Sequence, residues 1–358
     1  MPVPFLLSRV LLRFAEESED LLGELSAVVR TPDGSLWVGS DELNTIERLS
    51  PIEPCVFGKH QSFEVGNFVP LLNQDDEIDI EGIDYSDSYL WIIGSHSLKR
   101  KKPKGRNSDK DIRRLAEIQR DLNRYLIARI PVVEGELYKT CPHPRHPDRE
   151  LIAASLQRTE EGNQLIDVLK EDEHLGPYLS MLLPSKENGF DIEGLAVRKN
   201  KLFIGLRGPV LQSWAIILEI EVQESEPGIL TLKTIGKDEK KYKKHFLELN
   251  GLGIRELCFC GENLIILAGP TMQLEGEMRL FRLKKVLERS DDSLIWETSD
   301  HLEVLFDLPF TIGSDHAEGL SLFPCLNQQN ALLVVYDLPD NRRRIAPNAV
   351  FADVFLLE

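Results

Sequence analysis

Apolar runs in this chain come in pairs, the two members separated by a short polar turn. Asp79-Ile80-Glu81-Gly82-Ile83 is followed by Leu90-Trp91-Ile92-Ile93-Gly94, and Asp191-Ile192-Glu193-Gly194-Leu195 by Leu202-Phe203-Ile204-Gly205. His316-Ala317-Glu318-Gly319-Leu320 leads in the same way to Leu332-Leu333-Val334-Val335-Tyr336. Two looser copies have the same form. One is Ser26 to Val29, a turn at Pro32-Asp33-Gly34-Ser35, then Leu36 to Gly39; the other is Ile254 to Leu257, a turn at Gly261-Glu262-Asn263, then Leu264 to Leu267. Two β-rich runs around a Gly, Asn or Asp turn predict a hairpin. Five such hairpins at wide spacing are an internal repeat, and the repeat decides the fold class.

Further apolar runs follow most hairpins, among them Trp214 to Val222, Ile229 to Ile235, Met278 to Leu283 and Leu302 to Phe306. Four strands per repeat is the blade of a β-propeller. The expected architecture is all-β: one propeller domain over residues 1–358, with about five four-stranded blades. Six would follow if the region after residue 140 hides another. The last repeat is one strand short, with only Ala349 to Leu357 after its hairpin. The N-terminal run Leu6 to Phe14 is the strand that would complete it and close the ring, since an open ring leaves long exposed edges.

Two stretches break the strand pattern. Residues 98–129 hold 12 Lys and Arg against 4 Asp and Glu, a net of +8, so the rest of the −17 chain carries −25. In this basic insertion (98–124) Ile112, Leu115, Ile118 and Leu122 recur at helical spacing after Ser108, a candidate N-cap. Residues 160–183, with Leu165, Val168, Leu169, Leu175, Tyr178 and Leu179, read as a second helical insertion of one or two amphipathic helices.

Charge and composition narrow the partners. A net charge of −17 excludes general affinity for nucleic acid or anionic membrane. The basic stretch 98–129, with Tyr125 as its single tyrosine, offers no stacking platform for bases. No eighteen-residue apolar run exists to span a bilayer. The N-terminal MPVPFLLSRVLLRF lacks a basic lead and is interrupted by Arg9, so it reads as a strand and the location as cytoplasmic. Five cysteines, Cys55, Cys141, Cys258, Cys260 and Cys325, suit reduced thiols.

Blade geometry then gathers the candidate chemistry. The start of each first strand and the end of each second strand lie at the same mouth of the central channel. That mouth should collect Ser26, Glu81, Glu193, Arg255 and Glu318 from the starts, and Asp41, His96, Arg207 and Asp337 from the ends. Carboxylates crowded together raise one another's pKa unless a cation, a basic side chain or water compensates them. Glu81, Glu193, Glu318, Asp41 and Asp337 supply the oxygen ligands that Ca2+ or Mg2+ prefers. With His96 as acid/base and Arg207 as anion anchor, such a mouth suits a small anionic ligand and hydrolysis of a phosphoester or lactone, an esterase or phosphoester hydrolase. The alternatives are a structural ring, in which Arg255 pairs with neighbouring glutamates, and a non-catalytic scaffold that docks an acidic protein partner. Elsewhere, Cys141 to Pro147 lacks a fourth zinc ligand, Gly205 to Pro209 is neither a P-loop nor a dinucleotide fingerprint, and no Gly-x-Ser-x-Gly elbow occurs.

The strings DIEGLAV, LFIGLRGPVLQSWAIILEI and LWIIGSHSLKRKK closely resemble an uncharacterised family of bacterial proteins catalogued as a domain of unknown function. The resemblance runs from about Ser26 to the C-terminus and implies the fold without an activity. More remotely, the Glu-Gly-Ile/Leu repeat is similar to that of esterase-like phytase propellers and gluconolactonase-type propellers. Those families often hold a divalent metal at the channel mouth, which would fall here on Glu81, Glu193 and Glu318. This chain departs from them at Arg255 and in having no set of channel asparagines.

Overall fold

The computed structural model describes residues 3–16, 20–74, 76–272 and 274–357. Five antiparallel hairpins stand around one axis. Their first strands are Leu25–Arg30, Ile80–Ser86, Asp191–Arg198, Gly253–Cys260 and His316–Leu322, and each packs against the next in a closed cycle. Two further strands extend each hairpin outward. In the first unit these are Thr45–Glu53 and Val56–Glu64, and in the fourth Arg279–Leu283 and Leu302–Asp307. This is the β-propeller that the repeat predicts.

The second strands show why the apolar runs are continuous rather than alternating. Each is buried on both faces, between the units on either side, so both sets of alternate residues must be apolar. In Asn263–Gly269, Leu264 and Ile266 pack toward the third unit with Ala196 and Phe203, while Ile265 and Leu267 pack toward the fifth with Leu332 and Val334. Tyr89–Gly94 divides likewise: Leu90 and Ile92 join Trp37 and Ile46, whereas Trp91 and Ile93 join Leu195, Ile204 and Ile216. One apolar cluster fills each of the five gaps between neighbouring units.

The ring closes as the chain ends require. Leu6–Arg13 pairs antiparallel with Ala349–Leu356, completing the fifth unit, and its Leu11 and Leu12 pair parallel with Val56 and Phe57 of the first. Val10 and Leu12 are fully buried there.

The insertions depart in detail from their predicted form. Helix α1 covers only Ser108–Leu115, and its N-cap is Asn107, whose side chain accepts from the Lys110 amide, rather than Ser108. Beyond it Ile118–Arg120 pairs with Leu98–Arg100 as a two-stranded arm. Ile112, Leu115 and Ile118 are exposed, so their spacing marks no buried face. The second insertion does form two helices, α2 (Gln164–Lys170) and α3 (Gly176–Ser180). Among the described residues no helix is long and apolar enough to cross a membrane.

Candidate functional site

Every first strand carries an irregularity of register near its start, at the position the repeat singles out. Ser26, Glu81, Glu193 and Arg255 each lie between two paired residues and have no partner across the hairpin; in the fifth strand Glu318 and Gly319 share that place. A bulge of this kind re-aims a side chain. It sets these five residues apart from the alternation of their strands.

The glycine after each glutamate has a different task. A Cβ on Gly82 would lie 2.6 Å from Leu195 Cβ, and one on Gly319 would lie 3.0 Å from the Ala27 carbonyl carbon and the Val28 nitrogen. The glycines let neighbouring first strands approach; they are not left-handed turn positions. In the fourth unit Glu256 takes the place of the glycine. Its buried carboxyl accepts from the Leu195 and Leu257 amides at 2.9 and 2.8 Å.

The bulged residues meet a ladder of charge. Arg207 reaches Asp191 at 2.6 Å and Glu193 Oε1 at 2.5 Å. Arg255 reaches Glu193 Oε2 at 2.7 Å and Glu318 at 3.4 Å. Arg124 binds Asp79 at 2.6 Å and also pairs with Glu77. Glu193 thus has a guanidinium on each oxygen. Ser26 donates to the Ile80 carbonyl at 2.5 Å and so ties Leu25–Arg30 to Ile80–Ser86 of the next unit.

Two carboxyls in this cluster have no such partner. Glu81 and Asp41 make no hydrogen bond or ion pair with any described residue, yet each feels the charges around it. Burial pushes Glu81 well above the usual carboxylate range, with Asp79, Glu193, Glu318 and Asp41 adding to the effect. Burial, then Asp79 and Asp337, push Asp41 up to about 8. Asp79 rises to about 6 and Asp191 to about 7, both chiefly by burial and despite their arginines. Glu318 is also raised well above its ordinary value by burial, against the pull of Arg255. Asp337 lies 3.8 Å from His316 Nδ1, and His316 Nε2 is a buried nitrogen with no hydrogen-bond partner.

His96 is not part of this cluster. The sequence places it at the mouth as an acid/base, but its ring is buried, with Nδ1 donating to the Gly94 carbonyl at 2.7 Å and Nε2 accepting from Asn163 at 2.7 Å. Burial lowers its pKa to about 4, so the ring is neutral. Asn163 also caps α2, accepting from Leu165 and Ile166. His96 therefore ties the helical insertion to the second hairpin. Arg207 likewise does not stand free as an anion anchor, because both its terminal nitrogens are taken by carboxylates.

The proposed metal ligands can be tested against this geometry. Among the described residues no three His, Cys, Asp or Glu side chains come close enough together to hold a metal ion. Glu193 is saturated by two guanidinium groups and Glu318 shares one of them, so a cation there would sit against Arg207 and Arg255. The residues present do not fit a divalent metal on Glu81, Glu193 and Glu318 together. Beside the cluster, across Glu77 and Arg124, a cavity of about 480 Å3 opens under the basic arm, lined also by Asp76, Lys99, Arg120 and Asp121.

Sequence reasoning missed Asp79, Asp191, Arg124 and His316. The first two were visible as the opening letter of each Asp-Ile-Glu-Gly string. Arg124 had no local signal, since its partners lie about forty-five residues away in the chain.

Among solved structures the chain is similar to virginiamycin B lyase from Staphylococcus aureus, at 11% identity over 98% of this chain and 99% of that one, with a TM-score of 0.37. It is similar to PQQ-bound aldose sugar dehydrogenase from Streptomyces coelicolor at 12% identity over 99% and 98%, with a TM-score of 0.39. A protein assigned as a gluconolactonase matches at 13% over 93% and 74%, with a TM-score of 0.40. These likenesses say nothing of what this chain binds. No curated protein matches its sequence. The model of a family described as a protein of unknown function, DUF3616, matches residues 24–353, and the chain belongs to that family.

Proposed function

We propose that the mouth of this propeller binds a small, uncharged, hydroxyl-bearing ligand, and that the chemistry it supports is acid–base opening of an ester or lactone without a resident metal. The observation that carries this reading is the division of the cluster. Arg207 and Arg255 are spent on Asp191, Glu193 and Glu318, whereas Glu81 and Asp41 are left without partners among the described residues. A carboxyl held protonated near neutral pH both donates and accepts, which suits a hydroxyl group. A neighbouring ionised carboxylate supplies the base, the usual division of labour when environments push two carboxyls apart. A phosphoester is the poorer ligand, because its charge would meet carboxyls before any free guanidinium.

The test is thermal stabilisation and calorimetry with hydroxylated lactones, sugars and phosphoesters, each with and without Ca2+, Mg2+ and chelator. The reading expects stabilisation by a lactone or polyol, indifferent to metal, and its loss in Glu81→Gln and Asp41→Asn. Stabilisation by phosphoesters alone, or only with metal, would overturn it.

A second reading rests on the basic arm. Lys102, Lys104, Arg106, Lys110 and Arg113 make no ion pair with any described residue, and Ile112, Leu115 and Ile118 lie exposed among them. Charge and apolar surface together suit an acidic protein segment. Replacing those five cations with Gln should abolish binding to acidic peptides and leave stability within about 0.5 kcal/mol.

A further inference from the structure

At the opposite end of the propeller from the carboxyls, two thiols from distant parts of the chain face each other. Cys55 sits in the turn between Thr45–Glu53 and Val56–Glu64, in a left-handed conformation with φ 60°. Its carbonyl accepts from the Leu11 amide of the N-terminal strand at 2.8 Å. Cys325 lies in the connection from His316–Leu322 to Ala331–Asp337, where its amide and carbonyl exchange bonds with Gln328. Ser8 Oγ lies 3.5 Å from Cys55 Sγ, Cys325 lines the same cavity as Cys55, and the Phe57 and Phe323 rings beside the two cysteines meet edge-on with centroids 5.8 Å apart. Ser8 belongs to the strand that closes the ring, so both thiols meet at the seam between the first and fifth units. They line a mainly apolar cavity of about 460 Å3 with Pro51, Ile52, Phe57, Phe323, Pro324 and Leu326.

We propose that Cys55 and Cys325 are a redox-modification site, in which thiol–disulfide exchange with a small-molecule disulfide links them across the closure seam. Cys55, the more exposed of the two, attacks one sulfur of the small disulfide and releases the other as a thiol. Cys325 then attacks the Cys55 sulfur of the mixed disulfide and releases the second small thiol. Two cysteine thiols are oxidised, one small disulfide is reduced to two thiols, and the two cysteine protons end on those thiols. The bond joins residues 270 positions apart (325 minus 55), so it encloses most of the chain. Long enclosed loops restrict the unfolded chain most, so the bridge should stabilise the ring. Burial and the neighbouring Cys55 hold the Cys325 thiol above its ordinary range, so exchange is best run at mildly alkaline pH.

The experiment treats the full chain with oxidised glutathione and counts thiols after denaturation. The protein is expected to lose two of its five thiols and two hydrogen masses. It should yield a Cys55–Cys325 cross-linked peptide on non-reducing digestion, and melt about 5 °C or more higher until reductant is added. In Cys325→Ser the reaction should stop at a glutathione adduct on Cys55. Retention of all five thiols, a bridge between Cys258 and Cys260, or a stable adduct on Cys55 in the unaltered protein would overturn the proposal. So would a Cys55–Cys325 bridge that leaves the melting temperature unchanged.

Discussion

Glu193 and Glu81 occupy the same place in successive repeats, yet their environments give opposite expectations for one substitution. Glu193 is buried with an arginine on each oxygen, and removing its charge leaves two guanidinium groups facing too few carboxylates. Breaking a buried pair from one side is strongly destabilising, so Glu193→Gln should cost about 3 kcal/mol in denaturant unfolding. Glu81 has no partner among the described residues and is already driven toward its neutral form by burial and its neighbours. Glu81→Gln should therefore cost nothing at neutral pH and, by removing a carboxyl that must take up a proton on folding, should raise stability there. Equal losses in the two variants would show that Glu81 has a partner that its geometry does not give it. The identity of these residues was legible in the Glu-Gly repeat. Their difference was not, because it depends on Arg207 and Arg255 reaching across from other strands.

At the scale of elements, the hairpins were legible because each second strand is apolar on both faces and bounded by turn residues. Closure by Leu6–Arg13 was legible as well, as the strand the fifth unit lacked. Helix α1 was the poorest reading: Ile112, Leu115 and Ile118 have helical spacing but no surface to cover, and the chain leaves the helix at Leu115 for the arm. His96 was misplaced because the partner that fixes it, Asn163, comes from a helical insertion with no counterpart in the repeat. Two predictions belong to this scale. Gly82→Ala would drive a methyl group into Leu195 of the next unit and should cost about 1–3 kcal/mol. Deleting residues 1–14 strips the partner from Ala349–Leu356 and Val56–Glu64, and the exposed edges should bring aggregation, read by size-exclusion chromatography with light scattering. A truncated chain that stayed monomeric and melted as before would show that closure does not depend on the N-terminal strand.

Over the whole molecule, the raised carboxyls predict an unusual pH profile. A carboxyl whose folded pKa lies above its unfolded value binds more protons in the folded state between the two, so its contribution to stability is largest in acid and falls as pH rises. Asp41 at about 8, Asp191 at about 7, Asp84 at about 7 and Asp79 at about 6 all act in this sense between pH 4 and 8, joined by Glu81 and Glu318. His96, lowered to about 4, acts oppositely between its ordinary value of 6.5 and 4, one group against several. Asp172 and Glu219 are lowered to about 2, so the stability they contribute is lost as pH falls from about 4 toward 2. Stability should therefore rise on acidification from pH 8 to about 5 and collapse below about 4. Each net proton taken up on folding contributes about 1.4 kcal/mol per pH unit. The overall charge of −17 works in the same direction by self-repulsion, so the cluster must be separated from it. The double variant Asp41→Asn/Glu81→Gln removes two of the titrating groups and changes the net charge only slightly. If the cluster sets the profile, unfolding curves of this variant will flatten between pH 5 and 8. An unaltered slope would assign the profile to the charge of the whole molecule.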